Sequence, residues 1–186
     1  MSAVFAVTDR LILRDYRPDD LPLYVELSAD REVMQYLGGP RSAEHGAREL
    51  AAISAEFAKT GRGMLAVERK EDGAFLGICG LSIEQWYPED LQIGWRLFKP
   101  YWGQGYAFEA AQVWRDHAFR HGAPRLISIS DVPNTRSHRL MERLGMRHDH
   151  TATLTDDRET FDAHVFAMTR ENWLSLGKLQ GSLVRY

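Results

Sequence analysis

One cysteine, Cys79, is the whole thiol complement of this chain of 186 residues. A lone cysteine forbids an internal disulfide and fits a reducing compartment, so a cytoplasmic protein is expected. Its surroundings, Phe75-Leu76-Gly77-Ile78-Cys79-Gly80-Leu81, are apolar, and a free cysteine in such a run packs as a small hydrophobe. No stretch approaches the roughly 18 apolar residues of a membrane span. Met1 to Phe5 lacks the basic start and long apolar core of a secretory leader. Basic charge is short too: 23 Lys and Arg against 26 Asp and Glu leave a net charge of −3, which offers nucleic acid no footprint. Repeats, linkers and low-complexity tracts are absent. With 44% hydrophobic residues the chain can bury one good core but hardly two, so one domain over 1–186 is expected.

Two familiar phosphate loops are missing: no P-loop lysine and hydroxyl, and no G-x-G-x-x-G followed by an acidic residue. What is present is Gln92-Ile93-Gly94-Trp95-Arg96-Leu97-Phe98-Lys99-Pro100-Tyr101-Trp102-Gly103-Gln104-Gly105-Tyr106-Ala107-Phe108-Glu109. It reads as a strand, a glycine turn and a helix start. Successive backbone N–H groups in such a turn can converge on one phosphate, and the helix dipole adds to their field. Gly103 and Gly105 permit positive φ and close approach of a ligand. Taken alone, a glycine turn before a helix is as often structural.

Around this turn the patterning alternates strands and helices. Residues Leu11 to Arg14 alternate as a strand, and Pro18-Asp19-Asp20 opens a helix with acids at its positive end. Ser42 begins a longer helix that runs to Gly61. Strands are predicted at Met64 to Glu68 and Phe75 to Glu84, joined by the turn Glu71-Asp72-Gly73, then at Leu91 to Leu97. A helix follows from Gly105 to His121, a strand at Leu126 to Ile129, a helix from Asn134 to Leu144 closed by Gly145, and two late strands near Met146 to Thr153 and Thr160 to Thr169.

The string Tyr101-Trp102-Gly103-Gln104-Gly105-Tyr106-Ala107-Phe108-Glu109-Ala110 resembles the acyl-CoA pyrophosphate loop of the GNAT N-acetyltransferases. Within that family it is similar to the branch that includes the ribosomal-protein N-terminal acetyltransferases, although Trp102 stands where the general pattern has Gln or Arg. Thr8-Asp9-Arg10-Leu11-Ile12-Leu13-Arg14, Asn134-Thr135-Arg136-Ser137 and Glu142-Arg143-Leu144-Gly145-Met146 agree with the same branch. The resemblance implies an α/β domain with a mixed, mostly antiparallel sheet and helices on both faces. The fourth and fifth of the strands predicted above would splay to admit the pantetheine arm of acetyl-CoA, and the helices between the first two would cover the acceptor site.

By the same resemblance, Trp95 and Leu97 would pair with the pantetheine amides and aim an N–H at the thioester carbonyl, stabilising the oxyanion. Trp102, Gly103, Gln104, Gly105, Tyr106 and Ala107 would cradle the pyrophosphate. Asn134 and Ser137 would contact CoA, with Ser137 hydrogen-bonding the departing thiolate; a helix N-cap and a solvent-facing serine are the plain structural alternatives. The family often has a Glu before the Ile-Gly of the fourth strand, but here it is Gln92, which can orient water and cannot take a proton. Deprotonation of the amine then falls to Glu89, Asp90, Glu84, Asp131 or solvent. A tyrosine acid common in the family is replaced by Met141. Trp86 and Tyr87 could line an acceptor pocket.

No metal is expected. Regular strand geometry would send His148 and His150 to one face without an evident third ligand, and His138 reads as a surface residue. The expected activity is acetyl transfer to a primary amine, foremost a peptide N-terminal α-amine, by a monomer or homodimer. The alternatives are a small-molecule amine acceptor or a non-catalytic CoA-binding domain.

Overall fold

The computed structural model describes residues 3–177. Met1 and Ser2 of the opening segment, where no leader was expected, and 178–186 of the expected 1–186 domain, lie outside the described residues. The elements run β1 (Val4–Val7), β2 (Leu11–Arg14), α1 (Asp20–Ala29), α2 (Ala43–Thr60), β3 (Met64–Arg69), β4 (Phe75–Ser82), β5 (Leu91–Leu97), α3 (Tyr106–Arg120), β6 (Arg125–Asp131), α4 (Thr135–Arg143), β7 (Arg147–Thr155), β8 (Thr160–Thr169) and α5 (Arg170–Gly177). All eight strands form one sheet in the order β1-β2-β3-β4-β5-β6-β8-β7. Every neighbouring pair is antiparallel except β5 and β6.

That parallel pair positions the site. β5 and β6 are bonded only at Leu91–Leu126 and Gln92–Ile127, after which they diverge. Both inner edges therefore carry backbone groups that the sheet does not use, as the splayed strands require.

The sheet buries both faces, which is why the central strands read as nearly unbroken apolar runs. On one face Tyr24, Leu27, Met34 and Leu50 from α1, α2 and the segment after α1 pack on Ala66, Phe75 and Ile78. On the other, Ala110, Ala111, Trp114 and Phe119 of α3 and Met141 of α4 cover Leu65, Cys79, Ile93 and Leu126. Burial pushes the Cys79 thiol well above its ordinary pKa, so it packs and stays protonated. Local signals set the ends of α2: Ser42 Oγ accepts from His45 N at 3.2 Å, and Gly61 closes the helix at φ +68°.

Three features depart from the sequence reading. β1 pairs with β2 through Ala6–Leu13 and Val7–Ile12, so the opening apolar residues form an edge strand. The last helix, α5, stacks Trp173 on Phe119 at 5.5 Å. His148 and His150 do not share a face: a bulge leaves Asp149 out of register, pairing His148 with Phe166 and His150 with the adjacent Val165. The extra residue reverses the alternation.

Candidate active site

A cleft of about 850 Å³ follows the divergence of β5 and β6. Of the residues singled out from the sequence, Gln92, Trp95, Leu97, Trp102, Gly103, Gly105, Tyr106, Ala107, Asp131, Asn134 and Ser137 line it. Gln104 and Glu89 do not. Gln104 turns outward and its Nε2 donates to Pro100 O at 2.6 Å, while Glu89 is exposed in the loop before β5. Asp90 is held by Arg125 at 2.7 Å.

At one end, Gly103 (φ +73°) and Gly105 (φ +84°) turn the chain into α3, whose N-terminus has no capping side chain. A Cβ at Gly103 would meet nothing within 4 Å, whereas one at Gly105 would meet Arg10 Nη2 at 3.3 Å, so the turn is open on the Gly103 side. The turn is braced from the opposite end of the sequence. Glu109 accepts from Thr8 Oγ1 at 2.6 Å, Arg10 N at 2.9 Å and Arg10 Nε at 2.7 Å. Arg10 in turn donates to Gln104 O at 3.0 Å and lies over the Tyr106 ring at 4.5 Å. Burial works to raise the Glu109 pKa, but the bonds from Thr8 and Arg10 outweigh it and hold the carboxyl below its ordinary value. The Thr8-to-Arg14 motif and the α3 motif are thus two halves of one clamp. Leu97 O is already engaged by Trp102 Nε1 at 2.8 Å, so that carbonyl has a partner within the turn.

Asn134 caps α4, its Oδ1 accepting from Ser137 N at 3.3 Å, so the structural alternative for Asn134 holds while the residue still lines the cleft. Sequence reading missed Arg136, Arg139 and Arg143, which also line it. Their spacing of three and four residues puts them on one face of α4, and that spacing was the available signal. Arg136 stacks over Trp102 at 3.9 Å and Arg143 over Phe108 at 4.4 Å, so α4 sets positive charge against the start of α3. Met141 is buried. His138 is half-buried against Phe166 and His164 rather than a surface residue; burial, then His164, lowers its pKa.

The other end of the cleft lies on the α1 and α2 face. Glu84 Oε1 accepts from Ser82 Oγ at 2.7 Å and from Gln92 Nε2 at 3.0 Å. This fixes the Gln92 amide and leaves its Oε1 buried without a partner. Asp131 and Glu159 both line the cleft, and desolvation followed by repulsion from Glu159 pushes the Asp131 pKa up to about 6. Arg96 and Glu49 line it too. Arg96 and Asp131 each stand four residues beyond the last bonded pair, Gln92–Ile127, one on each of the diverging strands. Trp86 lines the cleft and is fixed by donation to Thr155 O at 2.8 Å, whereas Tyr87 bonds His150 at 2.8 Å instead. A second hollow of about 320 Å³ shares Ala52, Ile53, Met64 and Ser82 with the cleft.

Uncapped amides, open space at Gly103 and facing arginines fit the phosphates of CoA, and the unpaired strand edges fit its amide-bearing arm. Among the described residues no group of His, Cys, Asp or Glu is placed to hold a metal ion, and no helix is long and apolar enough to cross a membrane.

Comparison with known proteins agrees with this geometry. The family model described as an acetyltransferase (GNAT) domain matches residues 10–147. The protein YkkB of Bacillus subtilis (strain 168) is 32% identical over 149 residues, covering 78% of this chain and 86% of that protein. A GNAT-family acetyltransferase from Bacillus anthracis superposes with a TM-score of 0.76 at 25% identity, over 92% of this chain and 99% of that one. The ribosomal L7/L12 α-N-protein acetyltransferase RimL, solved with coenzyme A, shares the fold at 17% identity with a TM-score of 0.73, over 90% and 98% of the two chains.

Proposed function

The chain belongs to the acetyltransferase (GNAT) domain family, and from that premise we propose that this N-acetyltransferase moves acetyl from acetyl-CoA to the α-amine of a peptide N-terminus. Gly103 to Ala107 and the α4 arginines hold the phosphates. The inner edge of β5 near Trp95 takes the pantetheine amides. The acceptor enters from the α1 and α2 face. Acetyl-CoA supplies an activated carbonyl with a thiolate leaving group; the chain supplies position, a proton acceptor and a hydrogen bond for the departing sulfur.

The observation that carries the choice of acceptor is the Asp131–Glu159 pair, standing in the cleft where Gln92 brings no charge. A carboxylate with a pKa of about 6 lies roughly two units below an α-ammonium at about 8, and more than four below a lysine ammonium at about 10.4. Proton removal from the α-amine is therefore far less uphill. Gln92 Oε1, oriented by Glu84 and unpartnered, accepts a hydrogen bond from the amine or from a water beside it. Ser137, at the start of α4, donates toward the sulfur. RimL, which shares the fold, acts on a protein α-amine by its own description, and the hollow beyond Ala52 and Ile53 gives a peptide room that a small amine does not need.

The test is release of CoA thiol from acetyl-CoA with a broad panel of peptides, polyamines, amino acids and aminoglycosides. Turnover highest with free peptide N-termini supports the proposal. Turnover confined to a small-molecule amine would replace it.

A further inference from the structure

Gly94 stands on β5 two residues past the last pair that joins β5 to β6, Gln92–Ile127, and it lines the cleft. Its backbone does not call for glycine, since it lies within a regular strand and is not one of the positive-φ glycines. Apart from its chain neighbours, a Cβ there would find a single heavy atom within 4 Å, Met64 Cε at 3.8 Å, which is ordinary contact. The missing side chain therefore leaves free surface in the cleft wall, bordered by that one methyl. Gly80, its partner on β4, differs. A Cβ on Gly80 would lie 2.0 Å from Gly63 O, so that position admits glycine alone.

Met64, Gly80 and Gly94 are paired in one row across β3, β4 and β5. Neighbouring strands are about 4.8 Å apart, so the Met64 side chain reaches Gly94 by lying across the bare Gly80 backbone. An unbranched thioether can do this where a branched side chain cannot. Met64 lines both the cleft and the hollow of about 320 Å³, whose other walls include Leu81, Ile83 and Leu91, so it is part of the partition between the two. The course of the cofactor arm brings the thioester to this point. Phosphates at Gly103 to Ala107 lie past the far end of β5, the arm runs back along Leu97 and Trp95, and the closed pair Gln92–Ile127 stops it. Gly94 is thus the part of β5 that meets the acyl group.

We propose that Met64 sets the length of the acyl group: the acetyl methyl rests on Gly94 against Met64 Cε, and a longer chain has to displace the thioether to reach the hollow behind it. The inference rests on the acetyl-CoA arm lying along β5. It makes selection of the two-carbon donor a property of one side chain, separate from the groups that hold the phosphates and the amine.

The experiment gives the full chain the best acceptor of the panel above with acetyl-, propionyl-, butyryl- or hexanoyl-CoA and follows release of CoA thiol. For the wild type, kcat/KM should fall about tenfold or more from acetyl to butyryl, the factor by which a close-fitting apolar site rejects an extra methylene or two. In Met64→Ala, shown by calorimetry still to bind CoA, butyryl and hexanoyl should come within about threefold of acetyl. Met64→Leu, which withdraws the terminal methyl and keeps the apolar bulk, should give an intermediate ratio even if the alanine variant does not fold. Ile83→Ala, a truncation in the hollow outside the cleft, should keep the wild-type ratio. Equal wild-type rates on acetyl- and hexanoyl-CoA would overturn the inference without any variant being made. So would unchanged discrimination in both Met64 variants, or an Ile83→Ala as permissive as Met64→Ala, since general loosening would then explain the effect. If the wild type turns over none of the donors with any acceptor, the reading of the cleft itself falls; if it turns them over alike, only the role of Met64 does.

Discussion

Truncating Glu109 tests whether the clamp between the chain's opening and α3 holds the glycine turn. The side chain is 16% exposed and accepts three hydrogen bonds, two of them from Arg10 and one from Thr8. Bonds to a carboxylate are worth roughly 1.5–3 kcal/mol each when shielded. Arg10 is 47% exposed, so its side-chain share is screened, and Glu109→Ala should cost about 2–3 kcal/mol in all. For a chain of this size that is about 5–10 °C in Tm. Because Glu109 titrates below its ordinary value in the folded state, its contribution is complete above the unfolded value of about 4.3 and is lost as pH falls through the lower folded one. Urea unfolding should show a constant gap between wild type and variant from about pH 6 to 8, closing below about pH 4. Calorimetry should show weaker CoA binding, since Arg10 then braces neither Gln104 nor Tyr106 from a fixed position. A stability change below about 0.5 kcal/mol with unaltered CoA affinity would refute the reasoning.

Other perturbations separate the parts of the site. Gly103→Ala meets no neighbour and pays only for its left-handed φ, about 1–2 kcal/mol; its methyl should nonetheless weaken CoA by about tenfold, the worth of one charge-assisted bond, in a calorimetric titration. Ser137→Ala should lower kcat more than it lowers Tm, and equal turnover would leave Ser137 a structural role. The wild-type rate should rise through a pH near 6 as Asp131 ionises, and Asp131→Asn should remove that limb. A carboxyl raised on folding opposes stability above its unfolded value, so Asp131→Asn should also be more stable than wild type at neutral pH, with the gain vanishing near pH 4. A pH–rate profile and paired denaturation curves check both.

The sheet, its helices and the anion turn were legible because they rest on local patterns: alternation in Leu11 to Arg14, the Ser42 cap, the glycines before α3. β1 escaped because four residues of edge strand have little periodicity of their own and depend on β2 for their partners. The bulge at Asp149 cannot be read from alternation, since it consists in breaking it. In the site, residues carried by local motifs were found, from Gln92 to Ala107 and again at Asp131, Asn134 and Ser137, whereas Glu49 and Glu159, which line the same cleft from α2 and the β7–β8 turn, were not. Glu159 lies on the β7–β8 turn and meets Asp131 through the pairing of β8 with β6. Glu49 reaches Arg96 from α2. Arg96 did carry a sign, a charge at an inward position of a central strand, but its partners Tyr24, Met34 and Glu49 come to it from α1, the segment after α1 and α2.

The most direct test of the account is a matched pair of peptides, one with a free α-amine and all side chains blocked, the other with a blocked N-terminus and one free lysine. Both are incubated with acetyl-CoA at neutral pH, and the initial rates of acetylation are read by mass spectrometry. The account predicts a clear preference for the α-amine, since a proton acceptor with a pKa of about 6 faces an ammonium at about 8 in one case and about 10.4 in the other. Faster acetylation of the lysine ε-amine would contradict it.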